Sequence, residues 1–150
     1  MNRFAHAIYC DDIRQEVGNK TSLIGIYKGK MFVPSFPIVI PKLCVAVSIV
    51  TPTTRPFKTL KIKVLRGDQV LLEAPLSDAF IAAQGVDGEP RGPDDARLFT
   101  AEAVLVMSPV PIEAPMTFKL RVETEDEELR AGGLQIELAA QGTDTPAAQP

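Results

Sequence analysis

A chain of 150 residues with 45% hydrophobic and 23% charged side chains fits one globular domain that buries about two-thirds of the surface its unfolded form exposes. Its formal net charge of −3 argues against nucleic-acid binding by bulk positive charge. Two cysteines with no CxxC spacing and a single histidine argue against a zinc framework or a disulfide scaffold.

Residues 1–76 hold 11 Lys/Arg against 5 Asp/Glu, and residues 77–150 hold 5 against 14. Interleaved strands mix sequence halves in space, so this asymmetry does not define a basic patch. The opening "MNRFAHAIYCDD" has no apolar core of signal-peptide length, and no stretch approaches the roughly 20 apolar residues of a membrane span. The expectation is a soluble, cytoplasmic protein. Thirteen prolines and ten glycines point to many turns and few long helices.

In chain order, Phe4, His6, Ile8 and Cys10 share one face of a first strand because strand side chains alternate. The segment "CDDIRQE" then reads as a single capped helical turn, with Asp12 ahead of Gln15 and Glu16, and Ile13 and Val17 on one side. "VGNK" (17–20) is a turn, and "TSLIGIYKGKMFV" (21–33) is one strand long enough to bend at Gly25 or Gly29. Prolines in "VPSFPIVIPK" (33–42), "TPTTRPF" (51–57) and "SPVPIEAPM" (108–116) exclude interior strands, since proline lacks a ladder donor. Those segments read as crossovers or edges.

"KLCVAVSIV" (42–50) is apolar on both faces and is placed centrally, with "FTAEAVLVM" (99–107) alike. "KTLKIKVLR", "MTFKLRVET" and "LQIEL" alternate apolar and polar residues, as half-buried strands do. "RGDQ" (66–69) joins the first of these to "VLLEA" through a two-residue hairpin, Gly67 and Asp68 supplying positive φ angles. "TEDEEL" turns the chain before the last strand, where "AGG" (131–133) permits a bulge. Only "SDAFIAAQ" (77–84) reads as helix, capped by Ser77 or Asp78. Phe99 and Phe118 are assigned to the core, while Phe32, Phe36 and Phe57, beside prolines, either cover an end of the fold or offer an apolar contact.

The sum is an all-β fold, an antiparallel immunoglobulin-like β-sandwich of about seven or eight strands with at most one short helix. Residues 1–140 form that domain; 84–97 make a long exposed loop and 141–150 a flexible tail. There is no internal repeat.

Catalytic signatures are missing: there is no GxSxG, HExxH, P-loop or GxGxxG. His6 and Cys10 lie too far apart on one strand face for direct proton transfer, and both read as partly or wholly buried structural residues. A calcium site would need Asp11, Asp12 and Glu16 to meet Asp87, Asp94 and Asp95 across the long loop. The partner-binding candidates are Asp11, Asp12, Arg14, Glu16, Asp87 and Arg91, with Arg14 able to pair with either neighbouring aspartate. No cofactor is expected. The leading reading is a non-catalytic, protein-binding or self-assembling domain acting through sheet edges and end loops. A calcium-dependent sandwich for lipid or glycan is the alternative, and a hydrolase or nuclease built on the acids is third.

The run "YCDDIRQEVGNKTSLIGIYKG" followed by "PIVIPKLCVAV" resembles an uncharacterised domain family of bacterial and bacteriophage proteins. The pattern is Cys-Asp-Asp-φ-Arg-x-Glu, then "SLIGIY", then "PKLC". The resemblance implies no established activity. It does imply a phage or prophage origin, hence contacts with virion or host proteins.

Overall fold

The structure is a computed structural model and describes residues 2–82, the backbone of 86–87, and 97–140. Its strands are β1 (Phe4–Glu16), β2 (Lys20–Ile26), β3 (Lys30–Val33), β4 (Ile38–Ile40), β5 (Leu43–Pro52), β6 (Leu60–Arg66) and β7 (Gln69–Leu76). A short helix, α1 (Asp78–Ala82), precedes β8 (Val86–Asp87), β9 (Leu98–Met107), β10 (Val110–Ile112), β11 (Met116–Thr124) and β12 (Glu128–Leu138). One sheet has the order β2-β1-β5-β9-β8, a second β3-β12-β11-β6-β7, and β4 and β10 form a two-stranded ribbon. The all-β expectation holds. The strand count exceeds seven or eight because the proline segments carry their own ribbon, the 21–33 segment divides, and the segment expected as a loop (84–97) contributes β8, paired to β9.

That division has a local cause. The chain leaves the first sheet after Ile26 and enters the second at Lys30, with Gly25 and Gly29 at φ +69° and +86°; this left-handed region suits glycine. Entering from the other sheet, β3 runs parallel to β12, whereas the other pairings among the described residues are antiparallel. Pro111 lies inside β10, opposite Val39 of β4. Each ribbon strand pairs on one side only among the described residues, so the proline costs no ladder bond.

The core is built from alternate residues of both sheets. From β5 come Leu43, Val45, Val47 and Ile49; from the facing sheet come Ile62, Val64, Phe118, Leu120, Val122, Leu134 and Ile136, all essentially inaccessible. Central placement of β5 is confirmed, since β1 pairs on one side and β9 on the other. Phe57 is buried, Phe36 and Phe99 pack partly buried against the core, and Phe32 is exposed.

The turns follow their residues. At the β6–β7 hairpin Arg66 pairs with Gln69 and Gly67 has φ +58°, while Asp68 stays at negative φ. One positive angle at the first position is the type II′ pattern. Gly132, at φ +100°, sits in a bulge where Lys119 and Arg121 of β11 pair with Gly133 and Arg130. Ser77 caps α1, its hydroxyl accepting the Phe80 N–H at 3.1 Å.

Arg3 clamps one end of the sandwich. Its buried guanidinium donates to Thr51 Oγ1 (3.1 Å), the carbonyls of Arg55 (3.1 Å) and Pro56 (3.0 Å), Glu125 Oε1 (2.5 Å) and Asp126 Oδ1 (3.1 Å). It also lies 4.7 Å from the Phe57 ring centroid. Three otherwise separate segments, the start of β1, the β5–β6 connection and the β11–β12 turn, meet on this one side chain.

Candidate functional site

The segment read as a capped turn is strand: β1 continues through Glu16, with Asp12, Ile13, Arg14, Gln15 and Glu16 each registered against β2. Cross-strand pairing to β2 satisfies the backbone donors that a helical turn would otherwise have bonded locally, and Val17 is 93% exposed at the hairpin tip. The strand period therefore decides where the signature side chains go. Tyr9 points into the core and its hydroxyl donates to the Gly132 carbonyl at 3.3 Å; burial pushes its pKa up to about 12. Cys10 and Asp12 point to the outward face of the first sheet, Asp11 to its edge.

Asp11 accepts a short hydrogen bond from the Tyr27 hydroxyl, and the Tyr27 N–H donates to the Tyr9 carbonyl at 2.8 Å. Burial, then the bond to the Asp11 carboxylate, raises the Tyr27 pKa to about 12. Gly25 makes this possible: a Cβ there would fall onto the Asp11 carboxylate. Asp11 and Tyr27 open onto a groove of about 430 Å³ whose other walls include Phe32, Ile40 and Lys42.

Asp12 accepts from Lys42 Nζ at 2.5 Å and lies 3.6 Å from Arg14 Nε. The Lys42 hydrogen bond holds the Asp12 carboxyl below the usual range and raises the Lys42 pKa in return. One row along, Cys10 and Cys44 are direct cross-strand partners, both free and both inaccessible. Burial raises the Cys10 pKa, which keeps the thiol protonated and poorly nucleophilic.

The three pieces of the sequence signature thus converge on one corner. Tyr27 of "SLIGIY" meets Asp11, Lys42 of "PKLC" meets Asp12, and Cys44 meets Cys10. Tyr27 and Lys42 were not among the sequence candidates. The register of β1 against β2 and β5 is what brings them in, and only pairing alternation in those runs hinted at it.

Other candidates lie apart. Glu16 sits at the far end of β1, opposite Lys20. Asp87 pairs with Leu98, which pairs with Pro52 at the end of β5 remote from Cys44. Eight residues of strand, about 27 Å, separate those rows, so Asp87 and the Asp11–Asp12 pair occupy opposite ends. Arg91, Asp94 and Asp95 lie outside the described residues, as does the 141–150 tail. Among the described residues no three His, Cys, Asp or Glu side chains gather as a metal site would. His6 is exposed, not partly buried, with Ile8 between it and Cys10.

The outward face of the first sheet carries the largest departure from the sequence reading. Two adjacent rows, Ile26–Cys10–Cys44–Val106 and Ile8–Ala46–Val104, cross β2, β1, β5 and β9. Ile26 is 53%, Val104 45% and Val106 56% exposed. Apolarity on both faces of β5 and β9 reads in sequence as burial on both sides; on this side Cys10 and Cys44 are indeed buried and Ile8 and Ala46 half-buried, while Val104 and Val106 of β9 stay exposed. On the second sheet, the corresponding face is laced with ion pairs: Lys63–Glu123 (2.5 Å), Lys61–Glu123 (3.7 Å), Lys119–Asp68 (3.5 Å) and Arg121–Glu128 (3.9 Å).

A family model matches residues 5–137, from β1 to the end of β12. The chain belongs to a family of unknown function, DUF6941. The match spans every strand of both sheets, so the signature corner and the apolar face belong to the DUF6941 domain itself. No curated protein and no solved structure matches the chain. No helix among the described residues is long and apolar enough to cross a membrane.

Proposed function

We propose that this DUF6941 domain is a non-catalytic, immunoglobulin-like β-sandwich that works by binding a protein, in the cytoplasm of a bacterial or phage-infected cell. The observation that carries the reading is the contrast between its two outward faces. Single exposed apolar residues are ordinary on soluble proteins, but contiguous apolar rows rimmed by polar groups mark contact surfaces. Here the exposed Ile26, Val104 and Val106 flank the half-buried Ile8 and Ala46 in such rows, bounded by Asp12 and Lys42 on one side and His6, Ser48 and Glu102 on the other. Among the described residues, the outward face of the second sheet carries ion pairs in their place.

The signature corner supports the same role. Asp11, Asp12, Lys42 and Tyr27 are engaged with one another, which fixes the border of the apolar rows and leaves no free acid–base pair there. A phage or prophage origin would make virion or host proteins the natural partners.

Affinity capture from the source cell tests this, comparing the wild-type chain with Val106→Glu and Gln135→Glu, an exposed control on the opposite sheet. The expected result is a protein, further copies of the chain included, retained by wild type and Gln135→Glu and lost with Val106→Glu. Identical retention by all three variants would refute the reading.

A further inference from the structure

We infer that the groove beside the outer edge of β3 takes an extended segment of another protein, which pairs with β3 and sets a Lys or Arg side chain on the Asp11–Tyr27 corner. This contact is separate from the apolar rows of the first sheet and does not depend on them. An open backbone edge, a volume suited to a short strand and a carboxylate without a cation point to that occupant.

The edge comes first. β3 pairs with β12 on one side and, among the described residues, with no strand on the other. The Gln135 N–H donates to the Gly29 carbonyl at 3.0 Å and the Ala139 N–H to the Val33 carbonyl at 2.8 Å. Alternate residues of a strand turn their backbone groups to the same neighbour, so Gly29, Met31 and Val33 face β12, while the N–H and C=O of Lys30 and Phe32 face outward. Met31, Phe32 and Val33 all line the groove. Because consecutive strand side chains alternate between faces, a groove that touches all three runs along the edge of β3. One residue of a packed strand fills about 160 Å³, from a rise of about 3.3 Å, a strand spacing of about 4.8 Å and a sheet spacing of about 10 Å. The groove, about 430 Å³, therefore takes about three residues of extended chain, a length that Lys30 and Phe32 can pair.

The polar end sets the chemistry. Asp11 and Lys42 are the charged side chains among the described residues that line the groove. Lys42 is held by Asp12 at 2.5 Å. Asp11 is exposed and accepts the Tyr27 hydroxyl, but among the described residues it has no Lys or Arg at ion-pair distance. A carboxylate offers about four lone-pair sites, so Asp11 keeps room for an incoming ammonium or guanidinium. Met31, Val33 and Ile40 suit the aliphatic stem of such a side chain. Phe32, 60% exposed, offers an apolar contact to the next residue of the segment, whose side chains alternate likewise. The chain's own end leaves β12 beside Val33, but residues 141–150 contain no Lys or Arg to meet Asp11. The β7 edge is a weaker platform, since a bulge between Val64 and Leu65 on its partner and Pro75 within it interrupt the ladder.

The experiment titrates the isotope-labelled full chain, followed by amide NMR, with pools of acetylated, amidated heptapeptides. Their centre is fixed as Arg, Lys, norleucine or Glu, and the other positions are mixtures of Val, Ile and Thr. The expected result is shifts at the Asp11, Tyr27 and Phe32 amides with the Arg and Lys pools, at an apparent Kd of about 10 µM to 1 mM, and slowed exchange of the Phe32 N–H. The norleucine pool, which keeps the stem without the charge, binds about 5-fold or more weakly, and the Glu pool weaker still. Asp11→Asn removes the difference between Lys and norleucine. Phe32→Pro, which deletes an outward donor and no bond to β12, abolishes binding, whereas Phe32→Ala keeps the donor and weakens it less; Val17→Ser, at the exposed hairpin tip, leaves it unchanged. Circular dichroism confirms that each variant folds. No shift at these amides with any pool up to about 2 mM, equal affinity for the Lys, norleucine and Glu pools, or binding indifferent to Phe32→Pro overturns the inference. Contacts from residues 141–150 to Phe32, or concentration-dependent shifts there in the protein alone, put the chain's own end or a second copy in the groove and overturn it as well.

Discussion

Replacing Arg3 with alanine should be among the most damaging single changes in this domain, although the residue lies next to the start of the chain. Its guanidinium satisfies two backbone carbonyls and two hydroxyls and neutralises Glu125 and Asp126. Removing one partner of a buried ion pair costs about 3–5 kcal/mol, because the other charge is left uncompensated. Glu125 reports the same interaction. Burial pushes its carboxyl up, yet hydrogen bonds from its own N–H, from Arg3 and from the N–H groups of Lys58 and Thr59 outweigh that and bring it to about 2.

A folded pKa below the unfolded one contributes stability that is complete above about pH 4.5 and fades as pH falls towards 2. At 1.36 kcal/mol per unit the contribution is about 3 kcal/mol at neutral pH, of which about 2 kcal/mol is gone by pH 3. Urea melts of wild type and Arg3→Ala at pH 7 and pH 3 test this. The expected difference is about 4 kcal/mol at pH 7 and about half that at pH 3. A difference below about 1 kcal/mol at pH 7, or one that does not shrink at pH 3, would refute the assignment of Arg3 as a clamp acting through Glu125.

Both tyrosines of the chain, Tyr9 and Tyr27, should ionise near pH 12. Ultraviolet titration of the folded protein should then show no tyrosinate step near pH 10, and stability should fall as pH rises from about 10 to about 12; a step at pH 10 contradicts the buried hydroxyl geometry. Gly25→Ala should cost about 1–3 kcal/mol, since alanine is strained at φ +69° and its Cβ displaces the Asp11 carboxylate; a thermal melt unchanged from wild type would remove that argument. Phe118→Ala, in the inaccessible core, should lose about 3–5 kcal/mol by denaturant titration, whereas a loss under 1 kcal/mol would mean that the two sheets do not pack as described.

Much of the architecture was legible along the chain. The alternation in "MTFKLRVET", "KTLKIKVLR" and "LQIEL" correctly assigned Phe118, Leu120, Val122, Ile62, Val64, Leu134 and Ile136 to the core. Gly67, Gly18 and Gly132 marked real turns and a real bulge, because positive φ is a property of the residue itself. "CDDIRQE" misled for the complementary reason. Asp12, Gln15 and Glu16 have the chemistry of a capped turn, but β2 and β5 offered β1 more backbone partners than one helical turn could.

The candidate site divides along the same line. Local rules placed Asp11 and Asp12 on opposite sides of one strand, once that strand was known to be a strand. That Tyr27, Lys42 and Cys44 stand beside them, and that Asp87 stands at the other end, depends on register between segments separated by many residues. A one-residue slip would have reversed every side chain. The apolar face shows the limit most clearly: sequence determined that Ile8, Ala46, Val104 and Val106 share a side of their strands, but whether that side is covered depends on what the rest of the chain packs against it. Only the tertiary structure decided that the other sheet took the opposite face and that, among the described residues, Ile26, Val104 and Val106 on this one stay exposed.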